Sequence, residues 1–95
     1  MTEIEEIQYN AGKKVIEKLN KIDFPVSEID SEYEKQYILR DGSKKDVVVI
    51  SLRDATIGQY FFVYVDAITL DLLYVMGPHK YIEIKDFFKP NEEKE

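Results

Sequence analysis

The chain has 95 residues, no cysteine and a formal net charge of -6. Its length allows one domain with a modest core, and the lack of cysteine excludes disulfides and thiolate chemistry. The acidic balance argues against direct binding to nucleic acid, because such binding depends on Lys and Arg that neutralise phosphates. We expect a single domain over residues 1–90, followed by a disordered acidic tail over residues 91–95.

The first residues are acidic and lack the basic start and apolar run of a signal peptide. No stretch reaches the roughly 18 apolar residues that a membrane-spanning helix needs. We therefore expect a cytoplasmic protein without a membrane partner.

Residues 2–21 carry the pattern of an amphipathic helix. Thr2 followed by Glu5 matches a capping box at its start. Gly12 interrupts the pattern at a cost of about 1 kcal/mol relative to alanine. We expect the close approach of a strand or an aromatic side chain to explain this glycine, with a hinge as the alternative. The apolar residues recur at intervals of three and four, as one stripe that must lie on an apolar surface: Ile4, Ile7, Ala11, Val15, Leu19 and Ile22.

Pro25 ends the helix, and the segment from Val26 to Glu34 is extended. Acidic residues occupy every second position in it. In a strand all four carboxylates would line one side and offer an acidic surface to a basic partner. In a loop they would be solvated, and both interpretations stay open. The four residues are Glu28, Asp30, Glu32 and Glu34.

The remaining segments predict an antiparallel sheet. Aromatic and β-branched residues dominate the arms of a central hairpin, and Asp41-Gly42 indicates the turn of a second one. The predicted strands cover residues 33–39, 46–53, 60–65, 72–76 and 81–85. The predicted fold class is α+β, with an N-terminal helix packed on one face of a four- to five-stranded antiparallel sheet, a two-layer sandwich.

Such a sandwich leaves one sheet face without a helix. Alternation puts Phe61 on one face and its neighbours Tyr60 and Phe62 on the other. Tyrosine suits a surface that is partly buried and partly wet, which predicts contact with a protein partner or a homodimer. The alternative is that Phe87, Phe88 and the segment 23–32 fold over this face. The predicted contact residues are Tyr60, Phe62, Tyr64, Tyr74 and Tyr81, with Tyr33 and Tyr37 as further neighbours.

No pattern indicates catalysis. His79 is the only histidine, so the sequence offers neither a multi-histidine metal site nor a Cys/His pair. Asp66 and Asp71 flank the central turn and could form a carboxylate pair, but aspartates at strand ends usually bond the turn backbone. We expect a non-enzymatic protein with no cofactor and no metal.

The central turn resembles one that occurs in a known family. The stretch Val63-Tyr64-Val65-Asp66-Ala67-Ile68-Thr69 is similar to the Tyr-Val-Asp-Ala-x-Thr-Gly-like turn of PepSY domains, as is the order of a helix before an antiparallel sheet. The chain departs from that pattern at Leu70, where the family usually has glycine. The resemblance implies a regulatory module of the kind often thought to restrain peptidases, with no catalytic residues to carry over.

These patterns predict a small non-enzymatic protein-binding or regulatory module, for which inhibition of the partner is one role considered. It would act through a tyrosine-rich sheet face or as a homodimer. The alternative is an acidic inhibitor, of the immunity or anti-defence type, that occupies a basic site on a partner protein.

Overall fold

The structure is a computed structural model that describes residues 2–89. Within these residues, helix α1 precedes one antiparallel sheet of order β1-β2-β3-β4-β5, and a short helix α2 follows. This confirms the predicted α+β class. The predicted tail, residues 91–95, lies outside the described residues. The elements are α1 (Glu3–Lys21), β1 (Val26–Ile38), β2 (Lys44–Asp54), β3 (Tyr60–Asp66), β4 (Leu72–Met76), β5 (Tyr81–Ile82) and α2 (Ile84–Phe87).

Helix α1 begins with the predicted capping box. The Thr2 hydroxyl accepts from the Glu5 amide at 3.1 Å, and a Glu5 carboxylate oxygen accepts from the Thr2 amide at 2.9 Å. Along the apolar stripe, Ala11, Val15 and Leu19 are buried. These residues hold α1 on the sheet, as the period of the stripe predicts.

The expected explanation for Gly12 is wrong. A Cβ atom built at this position would meet no heavy atom within 4 Å. Gly12 instead borders an open groove between α1 and β1, whose walls include Ile16 and Ile29. No close approach therefore requires a glycine here.

The core lies between α1 and the sheet. Its fully buried strand residues are Val48, Ile50, Leu52, Val63, Val65 and Val75. At one end Phe87 packs against Phe24 and Phe61, with ring centroids 5.4 and 5.3 Å away. Phe88 packs on Phe87 at 5.0 Å. Both residues therefore close the helix side of the sheet, and the alternative that they cover the opposite face is wrong.

The segment 26–34 belongs to a strand. It forms most of β1, an edge strand of 13 residues that pairs along β2. Glu28 lies opposite Arg53, Asp30 opposite Ser51 and Glu32 opposite Val49. The acidic residues thus share one side of the sheet.

Asp66 organises the turn between β3 and β4. Its Oδ1 accepts from the amides of Ile68 at 2.8 Å and Thr69 at 3.1 Å. Its backbone amide donates to the Asp71 carbonyl at 2.8 Å. The aspartate therefore bonds the turn backbone, as expected of this residue at a strand end. Leu70, where the resembling turns usually have glycine, adopts a left-handed φ of 64°.

Candidate binding face

The side of the sheet that points away from α1 is here called the open face. Cross-strand pairing places residues of one face opposite one another, so the register defines its members. Tyr60 pairs with Arg53, Phe62 with both Ser51 and Met76, and Tyr64 with Tyr74. All nine predicted contact residues lie on this face: Tyr60, Phe62, Tyr64, Tyr74, Tyr81, Glu28, Asp30, Glu32 and Glu34.

The two further tyrosines divide between the faces. Tyr37 belongs to the open face, where its hydroxyl lies 3.1 Å from the Tyr64 hydroxyl. Tyr33 does not, because it pairs with the core residue Val48 and packs against the core. Its hydroxyl donates to Asp46 at 2.9 Å. The expectation that Tyr33 joins the face is therefore wrong.

Four rings form a continuous row across the open face, here called the tyrosine row. Its members are Tyr37, Tyr64, Tyr74 and Tyr81. Successive ring centroids are 5.3, 4.8 and 5.4 Å apart, within the range of favourable aromatic pairs. Burial, followed by the hydrogen bond with Tyr37, raises the pKa of Tyr64 above its ordinary range. Tyr64 therefore stays protonated and neutral at physiological pH.

The connection between β1 and β2, residues 39–43, reaches over the tyrosine row and is here called the hairpin tip. The Arg40 Cζ lies 3.3 Å from the centroid of Tyr81, which belongs to β5 at the far edge of the sheet. Tyr74 is only 9% exposed, and Val47 is fully buried although it lies outside the core cluster. The hairpin tip thus covers this half of the open face.

A bulge in β1 explains the bend of this hairpin. Its register shifts between Glu34 and Tyr37, and Gln36 adopts a left-handed φ of 53°. The Gln36 amide donates to Asp46 at 3.0 Å, which holds the bulge. Because bulges bend the strand that carries them, the hairpin can turn its tip onto the open face. The sequence offers no local signal for this bend, since glutamine is not a typical residue at positive φ.

The other half of the open face stays exposed. Tyr60 is 46% exposed and Phe62 is 38% exposed. Both lie on β3, near the end of the sheet opposite the hairpin tip. The exposed aromatic surface is therefore smaller than the predicted one, and it lies next to the acidic edge strand.

The four predicted acids of β1 form an acidic ladder along this edge. The Tyr60 hydroxyl donates to Glu28 Oε1 at 2.8 Å, and this hydrogen bond raises the pKa of Tyr60. None of the four carboxylates has an ion-pair partner within the described part of the chain. The ladder thus presents four carboxylates that no ion pair in the described part of the chain neutralises.

Other kinds of site find no support in residues 2–89. There, no group of three or more His, Cys, Asp or Glu side chains is placed to hold a metal ion. No helix in this part of the chain is long and apolar enough to cross a membrane. Asp66, one of the two aspartates considered as a carboxylate pair, accepts from two turn amides and pairs with Lys45 at 3.0 Å.

No protein-family model, curated protein or solved structure matches this chain.

Proposed function

We propose that this protein is a non-enzymatic binding module that contacts a basic protein partner through the exposed part of its open face. One observation carries this proposal: Tyr60 and Phe62 lie on the same uncovered surface as the acidic ladder, with Tyr60 bonded to Glu28. The two predicted modes of binding, aromatic and acidic, thereby become two parts of one surface.

Each part has a separate physical role. Aromatic side chains that become fully desolvated supply much of the binding energy at protein interfaces, and Phe62 is the apolar candidate. Carboxylates at the rim steer a partner of opposite charge and raise the association rate. The partner that fits is a protein with an apolar pocket beside Lys or Arg side chains.

Charge favours such a partner over a second copy of the chain. Two copies that met through this face would each bring a net charge of -6 and an unpaired acidic ladder to the interface. Like charges repel, and Arg53, which lies in register with Glu28 on this face, forms no ion pair with the ladder. One such cation offsets only part of the charge of four carboxylates. An inhibitory role follows if the basic surface of the partner is its own functional site.

Capture of partners from native lysate tests the face directly. Wild-type protein and the Phe62→Glu variant would serve as baits, followed by intact-complex mass measurement. We expect Phe62→Glu to lose the captured protein, because it places a charge at the centre of the aromatic surface. Tyr9→Glu is the matched control, since Tyr9 is 61% exposed on α1, on the other side of the sheet. Equal capture by wild type and Phe62→Glu would refute the assignment of this face.

The acidic ladder has a kinetic test. Its four carboxylates would be changed together to Gln or Asn, and association with the captured partner measured from low to moderate salt. We expect slower association and a weaker salt dependence, since steering is screened by salt. Rates identical to wild type at every salt concentration would show that the ladder is only a solvated edge.

A further inference from the structure

A cavity of about 450 Å³ lies between the hairpin tip and the far half of the open face. Its lining includes Leu39 and Arg40 from the tip, and Leu73, Tyr74 and Tyr81 from β4 and β5. Its volume falls within the range of small-molecule sites, which combine apolar walls with a few placed polar groups. The chemistry of the cavity therefore depends on which polar groups reach it.

Arg40 brings a guanidinium whose donors are unused. Its Cζ lies 3.3 Å from the centroid of Tyr81, and within residues 2–89 Arg40 forms neither a hydrogen bond nor an ion pair. The Tyr81 hydroxyl donates to Glu83 at 3.2 Å, which helps to hold the ring in place. A guanidinium on an aromatic face keeps its N–H groups available in its own plane, where they match the paired oxygens of a carboxylate or phosphate.

Tyr74 brings a hydroxyl without a partner. The residue is more than nine-tenths buried, yet its hydroxyl makes no hydrogen bond within the described residues. Buried tyrosine hydroxyls normally have a partner. No side-chain oxygen in this part of the chain is both fully buried and unpaired, so the Tyr74 hydroxyl must remain accessible. Since Tyr74 lines the cavity, its hydroxyl can donate to a bound group there.

The other charged residues that line the cavity, Lys45 and Asp41, already have partners in the protein. Lys45 pairs with Asp66 at 3.0 Å. The Asp41 carboxylate accepts from the Ser43 amide at 2.9 Å and from the Ser43 hydroxyl at 2.6 Å. Asp41 keeps its negative charge, because both groups that it accepts from are neutral. Among the described residues that line the cavity, Arg40 is the cation that has no ion pair and whose N–H donors are unused.

We propose that the cavity beneath the hairpin tip binds a small oxyanion, a carboxylate or a phosphate, through the Arg40 guanidinium and the Tyr74 hydroxyl. Leu39 and Leu73 suit an apolar body attached to the anion. The site does not depend on the proposed protein-binding function, because Tyr60 and Phe62 do not line it. The protein has a net charge of -6, which repels anions in general. The affinity must therefore come from the hydrogen-bond donors of Arg40 and Tyr74.

The test is an NMR titration of the full chain with sodium benzoate and sodium phosphate, at constant ionic strength. Benzamide is the control compound, since it has the ring of benzoate without its charge. We expect saturable shifts of the backbone amides in residues 39–45 and 73–81 with at least one anion. Saturation by benzoate alone would assign the site to carboxylates, and saturation by phosphate alone would assign it to phosphates.

Two variants test the residues named. We expect Arg40→Gln and Tyr74→Phe each to weaken anion binding by about tenfold, the scale of a lost hydrogen bond to a charged group. Arg40→Lys keeps the charge but loses the planar fork, so its affinity should lie between those of wild type and Arg40→Gln. Lys13→Gln and Tyr9→Phe, which make matched changes on α1, should leave the affinity unchanged.

Three results would overturn the proposal. The first is the absence of saturable binding of either anion at millimolar concentration. The second is equal affinity for benzamide and benzoate, which would mean that charge is not recognised. The third is unchanged affinity in folded Arg40→Gln, Arg40→Lys and Tyr74→Phe, with folding verified by the amide spectrum of each variant.

Discussion

The Tyr60 hydroxyl donates a 2.8 Å hydrogen bond to Glu28 Oε1, although strand β2 lies between the strands that carry these residues. Arg53 of β2 pairs in register with both residues. The bond crosses above that strand and joins the exposed aromatic surface to the acidic ladder. A partner that contacts Tyr60 therefore also meets the carboxylate of Glu28.

Removing the charge of Glu28 should change the titration of Tyr60. The hydrogen bond to Glu28 is the largest cause of the raised pKa of Tyr60, because ionisation would place a phenolate against a carboxylate. We expect Glu28→Gln to lower this pKa towards the ordinary value of 10.0. NMR titration of the Tyr60 ring measures it, with Glu32→Gln as the control. An unchanged pKa in Glu28→Gln would mean that the bond does not form in solution.

Truncation of Leu19 should strongly destabilise the fold. Leu19 is 2% exposed and belongs to the core cluster. We expect Leu19→Ala to lower the free energy of unfolding by about 2 to 5 kcal/mol, through lost burial and the cavity left behind. Ile16, 41% exposed on the same helix, provides the control, and Ile16→Ala should cost less than about 1 kcal/mol. Denaturant melts that rank the two variants the other way would contradict the placement of α1.

Filling the space beside Gly12 should stabilise the protein. Because a Cβ there meets no heavy atom within 4 Å, Gly12→Ala gains helix propensity without a clash. We expect an increase in the free energy of unfolding of about 0.5 to 1 kcal/mol. Gly42→Ala is the control and should destabilise, since Gly42 has a φ of 90°. Loss of stability in Gly12→Ala would show that the glycine has a packing role after all.

Features set by a local period could be predicted from the sequence. The apolar spacing of α1 and its capping box identify the helix and the side on which Val15 lies. The alternation in β3 separates Phe61 from Phe62 in the same way. Such patterns depend on neighbouring residues only, so a single sequence is enough to recognise them.

Features set by register or by a distant contact could not be predicted. Tyr33 and Tyr37 are four positions apart, which would place them on one face of a regular strand, but the bulge at Gln36 separates them. The contact between Arg40 and Tyr81 follows from this bend and from the order of the whole sheet. Asp41-Gly42 correctly predicts which residues form the turn. It does not predict that this turn packs over the tyrosine row. The candidate anion site was missed for this reason.

Asp66 should make the stability of the protein depend on pH in the acid range. Burial acts to raise its pKa, but the amides of Thr69 and Ile68 and the Lys45 ammonium outweigh burial and hold the pKa below the ordinary value of 3.8. The native carboxylate therefore binds a proton less readily than the unfolded one. Its stabilising contribution is fully present above pH 3.8 and is lost as the pH falls through the lower, folded value.

The Asp66→Asn variant isolates this contribution. Asparagine keeps an oxygen for the two turn amides but loses the ion pair with Lys45, so we expect a loss of about 1 to 2 kcal/mol at neutral pH. The difference from wild type should stay constant down to about pH 5 and shrink below pH 3.8. Urea melts of both proteins at a series of pH values measure this difference. Subtraction removes the contribution of other acids, which titrate in both proteins.

Asp71→Asn is the matched control, because the Asp71 carboxylate has no hydrogen-bond or ion-pair partner within residues 2–89. A difference that persists unchanged at pH 2 would mean that the loss in Asp66→Asn does not come from the charge of Asp66.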